Sequence, residues 1–142
     1  MQSYTFEDLA VGMSASLTNT VTKEIIDQFA VLSGDTNPVH IDEAYAAGTM
    51  FKACIAHGML TASYISAVFG TRMPGPGAIY VSQTLNFKAP VRIGDEVVST
   101  VEVEELFVSR NRCLFQCRCE VAGRPVLEGE AMLIVPSAAS SG

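Results

Sequence analysis

Asp35 and His40 set a carboxylate and an imidazole on either side of the run Gly34-Asp35-Thr36-Asn37-Pro38-Val39-His40. That combination is the chain's best candidate for an acid/base pair, in which one group takes a proton and the other gives one. Pro38 fixes its own φ and pushes Asn37 toward extended backbone, while Gly34 and Asn37 tolerate unusual dihedrals, so the turn cannot be helical throughout. The two side chains therefore flank a stiff corner, and proton transfer needs geometry first. Taken singly, an aspartate after a glycine more often caps a helix or turn, and a solitary histidine is more often structural.

The elements that must position this corner are legible from periodicity. A strand around Met13 to Val21 leads to Thr22, a helix N-cap, and then to a helix whose Ile25, Phe29 and Leu32 recur at helical spacing. That helix stops at Gly34. After the corner, Asp42 caps a short helix through Glu43 to Ala47, and an irregular stretch runs to Ile55. A buried helix follows over about 56 to 69, ended by Gly70, and it is apolar nearly all round.

The second half reads as strand after strand. Ile79, Val81, Gln83, Leu85 and Phe87 share one face, followed by Val97, Ser99, Val101 and Val103. Cys113, Phe115, Cys117 and Cys119 share another, and Leu127, Gly129, Ala131, Leu133 and Val135 a last one. Turn signals at Ala89-Pro90, Gly94-Asp95, Ser109 to Arg112 and Gly123-Arg124-Pro125 separate them. The reading is an α+β fold in which an antiparallel sheet of about five strands wraps one long helix.

Composition bounds what this fold serves. The chain has 142 residues, 49% hydrophobic and 17% charged, enough for one globular domain with a generous interior. We assign that domain to residues 1–136 and a small, polar, disordered tail to 137–142. The positive mean hydropathy hints at buried subunit contacts. A net charge of -6 disfavours nucleic acid and anionic membranes as partners. Met1 to Leu17 lacks a basic start followed by an apolar run, which makes the cytoplasm the expected location. The cysteines of the 113–119 segment alternate with Gln116, Arg118 and Glu120, so they read as small core residues, with no metal and no disulfide expected.

Three segments together carry a family resemblance: Leu32-Ser33-Gly34-Asp35-Thr36-Asn37-Pro38-Val39-His40-Ile41-Asp42, then Ile55-Ala56-His57-Gly58-Met59-Leu60, then Phe87-Lys88-Ala89-Pro90-Val91 with Gly94-Asp95. The chain resembles the MaoC-like hydratases, and more closely the short, single-domain (R)-specific enoyl-CoA hydratases, over residues 6 to 136. The resemblance implies a hotdog fold, an overhanging helical segment carrying the catalytic motif, and pairing as a homodimer, with assemblies of dimers left open. It implies hydration of trans-2-enoyl-CoA to (R)-3-hydroxyacyl-CoA with no cofactor beyond the CoA of the substrate. Within a matched motif, Asp35 and His40 read as the acid and base, their individual roles unassigned.

The same reading extends to the substrate's surroundings. Gly58 begins the buried helix, so its amide is an unpaired donor and the oxyanion-hole candidate. The resemblance adds Ser66 as a polar group facing substrate. Asn37 holds the corner through backbone hydrogen bonds, and His57 fixes the helix start or contacts substrate. Lys88 and Arg92 are reasonable phosphate contacts for CoA. Phe69 and Leu133 are expected to close the acyl tunnel and so to favour short acyl groups.

Rival readings are a dehydratase for a branched, dicarboxylic or carrier-bound acyl group, and a noncatalytic acyl-CoA-binding or assembly subunit. Intact Asp35 and His40 argue against a mere binder. A thioesterase of the same fold would place a carboxylate on or near the central helix, and residues 56 to 70 contain no Asp or Glu.

Overall fold

The computed structural model describes residues 2–138. Its first strand, β1 (Ser14–Thr20), is followed by α1 (Lys23–Ser33), whose start is held by Thr22: its Oγ1 accepts the Ile25 N–H at 3.2 Å. Gly34 closes that helix in the left-handed region, φ 82°, where its N–H donates to the Ala30 carbonyl. Both boundaries fall where the capping residues predict them. One-turn helix α2 (Pro38–Ile41) and short helix α3 (Glu43–Ala47) follow, capped by Asn37 and Asp42.

The central helix, α4, spans Gly58–Thr71. It runs through Gly70, where the sequence predicts a stop. Gly70 permits a left-handed turn without requiring one, and the buried Val68 and Phe69 hold the last turn against the sheet.

Strands β2 (Ile79–Gln83), β3 (Asn86–Phe87), β4 (Glu96–Phe107), β5 (Arg112–Val121) and β6 (Arg124–Ile134) complete one antiparallel sheet in the order β1-β4-β5-β6-β2, with β3 also pairing with β6. The run from Ile79 to Phe87, read from its alternation as one strand, is thus two. The ladder is interrupted between Tyr80 and Ser82 and again at Thr84. Thr84 is stitched to β6 on its own terms: its N–H donates to the Glu130 carbonyl at 2.8 Å, and the Glu130 N–H donates to its Oγ1 at 2.9 Å. Its carbonyl lies so close to Gly129 that a Cβ there would meet the oxygen at 1.9 Å.

The core lies between α4 and the inner face of the sheet. Val97, Val101 and Val103 of β4, Cys113, Phe115, Cys117 and Cys119 of β5, and Leu127, Ala131 and Leu133 of β6 are all buried there, as the period-two pattern predicts. The helix contributes Leu60, Ile65, Val68 and Phe69, each worth about 1.5–3 kcal/mol when fully buried. Phe69 and Phe115 meet edge-on with centroids 4.9 Å apart. The four cysteines are free thiols, and burial pushes Cys113 and Cys117 up to about 12.

Two surfaces stay open. Along β2, Ile79, Tyr80 and Val81 are exposed, and the outer face of α4 presents Met59, Ser63 and Ser66. Of the expected tail, residues 139–142 lie outside the described residues, whereas Ser137 and Ala138 both donate to the Glu7 carboxylate. Among the described residues, no helix is long and apolar enough to cross a membrane.

Candidate active site

The corner hangs from the end of α1. Ser33 Oγ donates to the Phe29 carbonyl and accepts the Asp35 N–H at 3.1 Å, so the residue before the glycine sets where the aspartate starts. The Asp35 carboxylate then accepts the Asn37 N–H on Oδ1, and Asn37 Oδ1 accepts the Val39 N–H, each at 3.2 Å. These two Asx turns stiffen the corner from within. Asn37 therefore does what the sequence predicts for it. Ser33 was missed as a contributor, although it stands two residues before Asp35 in the matched motif.

His40 is fixed from outside the corner. Its Nδ1 lies 2.8 Å from the Ile55 carbonyl oxygen. A carbonyl can only accept, so Nδ1 carries a hydrogen, and in the neutral ring Nε2 is left bare. Ile55 is itself anchored: its N–H donates to the Val39 carbonyl, and it bridges Arg92. The next amide, Ala56 N–H, donates to the Val91 carbonyl at 2.7 Å. The stretch ahead of α4 thus ties the corner to the connection between β3 and β4.

His57 completes the group. It is buried, its Nε2 donates to the Asp35 backbone carbonyl at 3.0 Å, and its ring stacks on that of His40 with centroids 3.9 Å apart and planes 27° apart. Asp35, His40 and His57 each place one nitrogen or oxygen within 4.8 Å of the others. The sequence reading has His57 fix the helix start or contact substrate; it is the N-cap residue of α4, where its carbonyl accepts the Leu60 and Thr61 N–H groups while its ring makes no capping bond.

A cavity of about 670 Å³ opens onto this cluster, lined by Asp35, His40, His57 and Gly58 together with Phe87 and Lys88 of the sheet edge. Gly58 is the first residue of α4, so its N–H has no acceptor within the helix. A Cβ at that position would lie 2.7 Å from the Phe87 ring. Glycine lets the helix end and its donor come against the cavity wall.

The remaining candidates divide. Lys88 lines the cavity. Arg92 is exposed, but its guanidinium donates to the Phe51 carbonyl at 2.7 Å, which commits part of it to holding the loop. Ser66 lines a second cavity of about 570 Å³ beside β2, and the two cavities share Phe29 and Met59. Phe69 and Leu133 are buried, 3% and 1% exposed, and stand behind the walls of these two cavities rather than lining them. Phe69 points into the core because its ring packs edge-on to Phe115 as well as to Tyr80. Phe29 and Phe51, which do line the first cavity, were not singled out; a phenylalanine in an amphipathic stripe carries no signal that separates wall from core.

Comparison with known proteins agrees with this arrangement. The family described as MaoC like domain matches residues 9–124. The (R)-specific enoyl-CoA hydratase of Rhodospirillum rubrum is 57% identical over 132 residues, 93% of this chain and 92% of that one. The 3-hydroxybutyryl-CoA dehydratase of Methylorubrum extorquens is 53% identical over 92% of this chain and 83% of its own. Among solved structures, the unliganded R-hydratase of Pseudomonas aeruginosa superposes with a TM-score of 0.92 at 44% identity, covering 96% of this chain and 88% of that one.

Proposed function

The chain belongs to the MaoC-like domain family, and from that premise we propose that it is an (R)-specific enoyl-CoA hydratase acting reversibly on short acyl chains. The high identity to a hydratase and to a 3-hydroxybutyryl-CoA dehydratase supports both the reaction and the short substrate. The observation that carries it is the pair itself: a carboxylate oxygen and an imidazole nitrogen within 4.8 Å of one another beside one cavity, with the imidazole oriented by its Nδ1 bond to Ile55.

Two hydrogen bonds of about 2.8 Å each can span such a gap, so one water can donate to both groups at once. Its oxygen is then free to form a bond to C3 of the enoyl group, while one of the pair takes the proton. The electron pair of the C2–C3 double bond moves toward the thioester carbonyl, and the Gly58 N–H stabilises the oxygen that becomes negative. The proton taken from water is returned to C2. One water supplies both fragments to one face, so the addition is syn and the product has one hand.

Lys88 at the cavity wall suits a CoA phosphate. Ser66 serves the acyl side through the adjoining cavity. A homodimer belongs to the same reading: the exposed Ile79, Tyr80 and Val81 of β2 and Met59 of α4 form an apolar edge suited to a second copy. Sedimentation of the native protein at twice the chain mass is expected; a monomer at micromolar concentration overturns this part. The cytoplasm suits four unbridged cysteines.

Native protein mixed with crotonyl-CoA is expected to bleach the enoyl-thioester absorbance and yield (R)-3-hydroxybutyryl-CoA. No turnover, or an (S) product, sinks the reading. Release of free CoA thiol would assign hydrolysis instead.

A further inference from the structure

His57 joins the corner, His40 and the start of α4. Its Nε2 bonds the Asp35 carbonyl, its ring stacks on His40, and its own backbone precedes the Gly58 donor. The ring also meets that of Phe29, centroids 4.9 Å apart and tilted by 48°. Its Nδ1 is buried and has no hydrogen-bond partner among the described residues. Leaving a buried polar atom unpaired is costly, so the position asks for an explanation.

The tautomer supplies it. The Asp35 carbonyl can only accept, so in the neutral ring it commits the His57 hydrogen to Nε2 and leaves Nδ1 bare. His40 has the reverse arrangement, with its hydrogen on Nδ1 toward Ile55. Two stacked imidazoles of opposite tautomer therefore face one another, and each is set by a backbone carbonyl. Resting on the hydratase reading, we propose that His57 is a positioning residue: its Nε2–H holds the Asp35 backbone, and its ring fixes the plane in which His40 presents Nε2 to substrate. It transfers no proton.

The chain has two histidines, so imidazole nitrogens labelled with ¹⁵N give four resonances without crowding. In the native protein, one histidine is expected with hydrogen on Nδ1 and the other on Nε2, the latter being the resonance lost in His57→Phe. A His57 with hydrogen on Nδ1 overturns the proposal, and this readout stands whether or not crotonyl-CoA is a substrate. The kinetic arm uses two variants. His57→Phe keeps a ring but loses the donor, and kcat is expected to fall about 10- to 100-fold with KM within about twofold. His57→Gln places an amide nitrogen the same number of bonds from Cβ as Nε2 and is expected to recover most of that loss. Equal kcat for native protein and His57→Phe, or a His57→Gln no better than His57→Phe, overturns it.

Discussion

Asp35→Asn is expected to lower kcat on crotonyl-CoA by about 10²- to 10⁴-fold, the range of one positioned proton transfer, while leaving the fold intact. The structure explains why the two effects separate. Asp35 is exposed, and its structural task is to accept the Asn37 N–H on one oxygen; an asparagine carbonyl performs that task equally well. What is lost is the second, anionic acceptor for water. His40→Asn is the matching change on the other side, because its amide nitrogen sits where Nδ1 did and still donates to Ile55, whereas the bare Nε2 is gone. In the proposed mechanism both groups act on one water, so the double variant is expected to fall little below either single one. Thermal unfolding and kcat measured on the same samples check this. A variant of either residue that keeps more than about a tenth of native kcat contradicts the assignment.

Gly129→Ala is expected to be the most damaging single methyl in the sheet. The new Cβ would stand 1.9 Å from the Thr84 carbonyl oxygen and 2.8 Å from its carbon, so the obstacle is backbone. Thr84 is pinned by two hydrogen bonds to Glu130, the very next residue, and cannot withdraw without breaking them. The cost belongs at the upper end of overpacking, about 3 kcal/mol. In a chain of this size that corresponds to a midpoint lowered by about 10 °C. The damage should also reach function, because Phe87 and Lys88 follow directly on the displaced segment and line the cavity. Denaturant unfolding checks the first part; a loss below about 1 kcal/mol means that the strands part more easily than their hydrogen bonds indicate.

Much of this was legible in the chain. Thr22 and Gly34 mark the ends of α1 because capping chemistry is local, and the cysteines of β5 reveal their inward face because a strand's period is local too. Asp35 and His40 were legible because five residues and a proline hold them together. Contacts that cross the fold were not. His57 and Asp35 are 22 residues apart, and nothing in either segment announces a ring nitrogen bonded to a main-chain oxygen. The alternation from Ile79 to Phe87 continues in the residue types, although the ladder breaks at Thr84; only the partner strand, with glycine at 129, reveals why. Phe69 and Leu133 carry the residue types of an acyl wall, but those types serve a core equally well.

The short tether around Ala56 has a consequence for how the protein fails. Because Ile55 and Ala56 bond the corner on one side and the Val91–Arg92 segment leading into β4 on the other, the geometry of the corner cannot loosen without breaking main-chain contacts that anchor that segment too. Local melting and loss of competence then become one event. The enzyme should age as an intact population that shrinks, each survivor working at full speed.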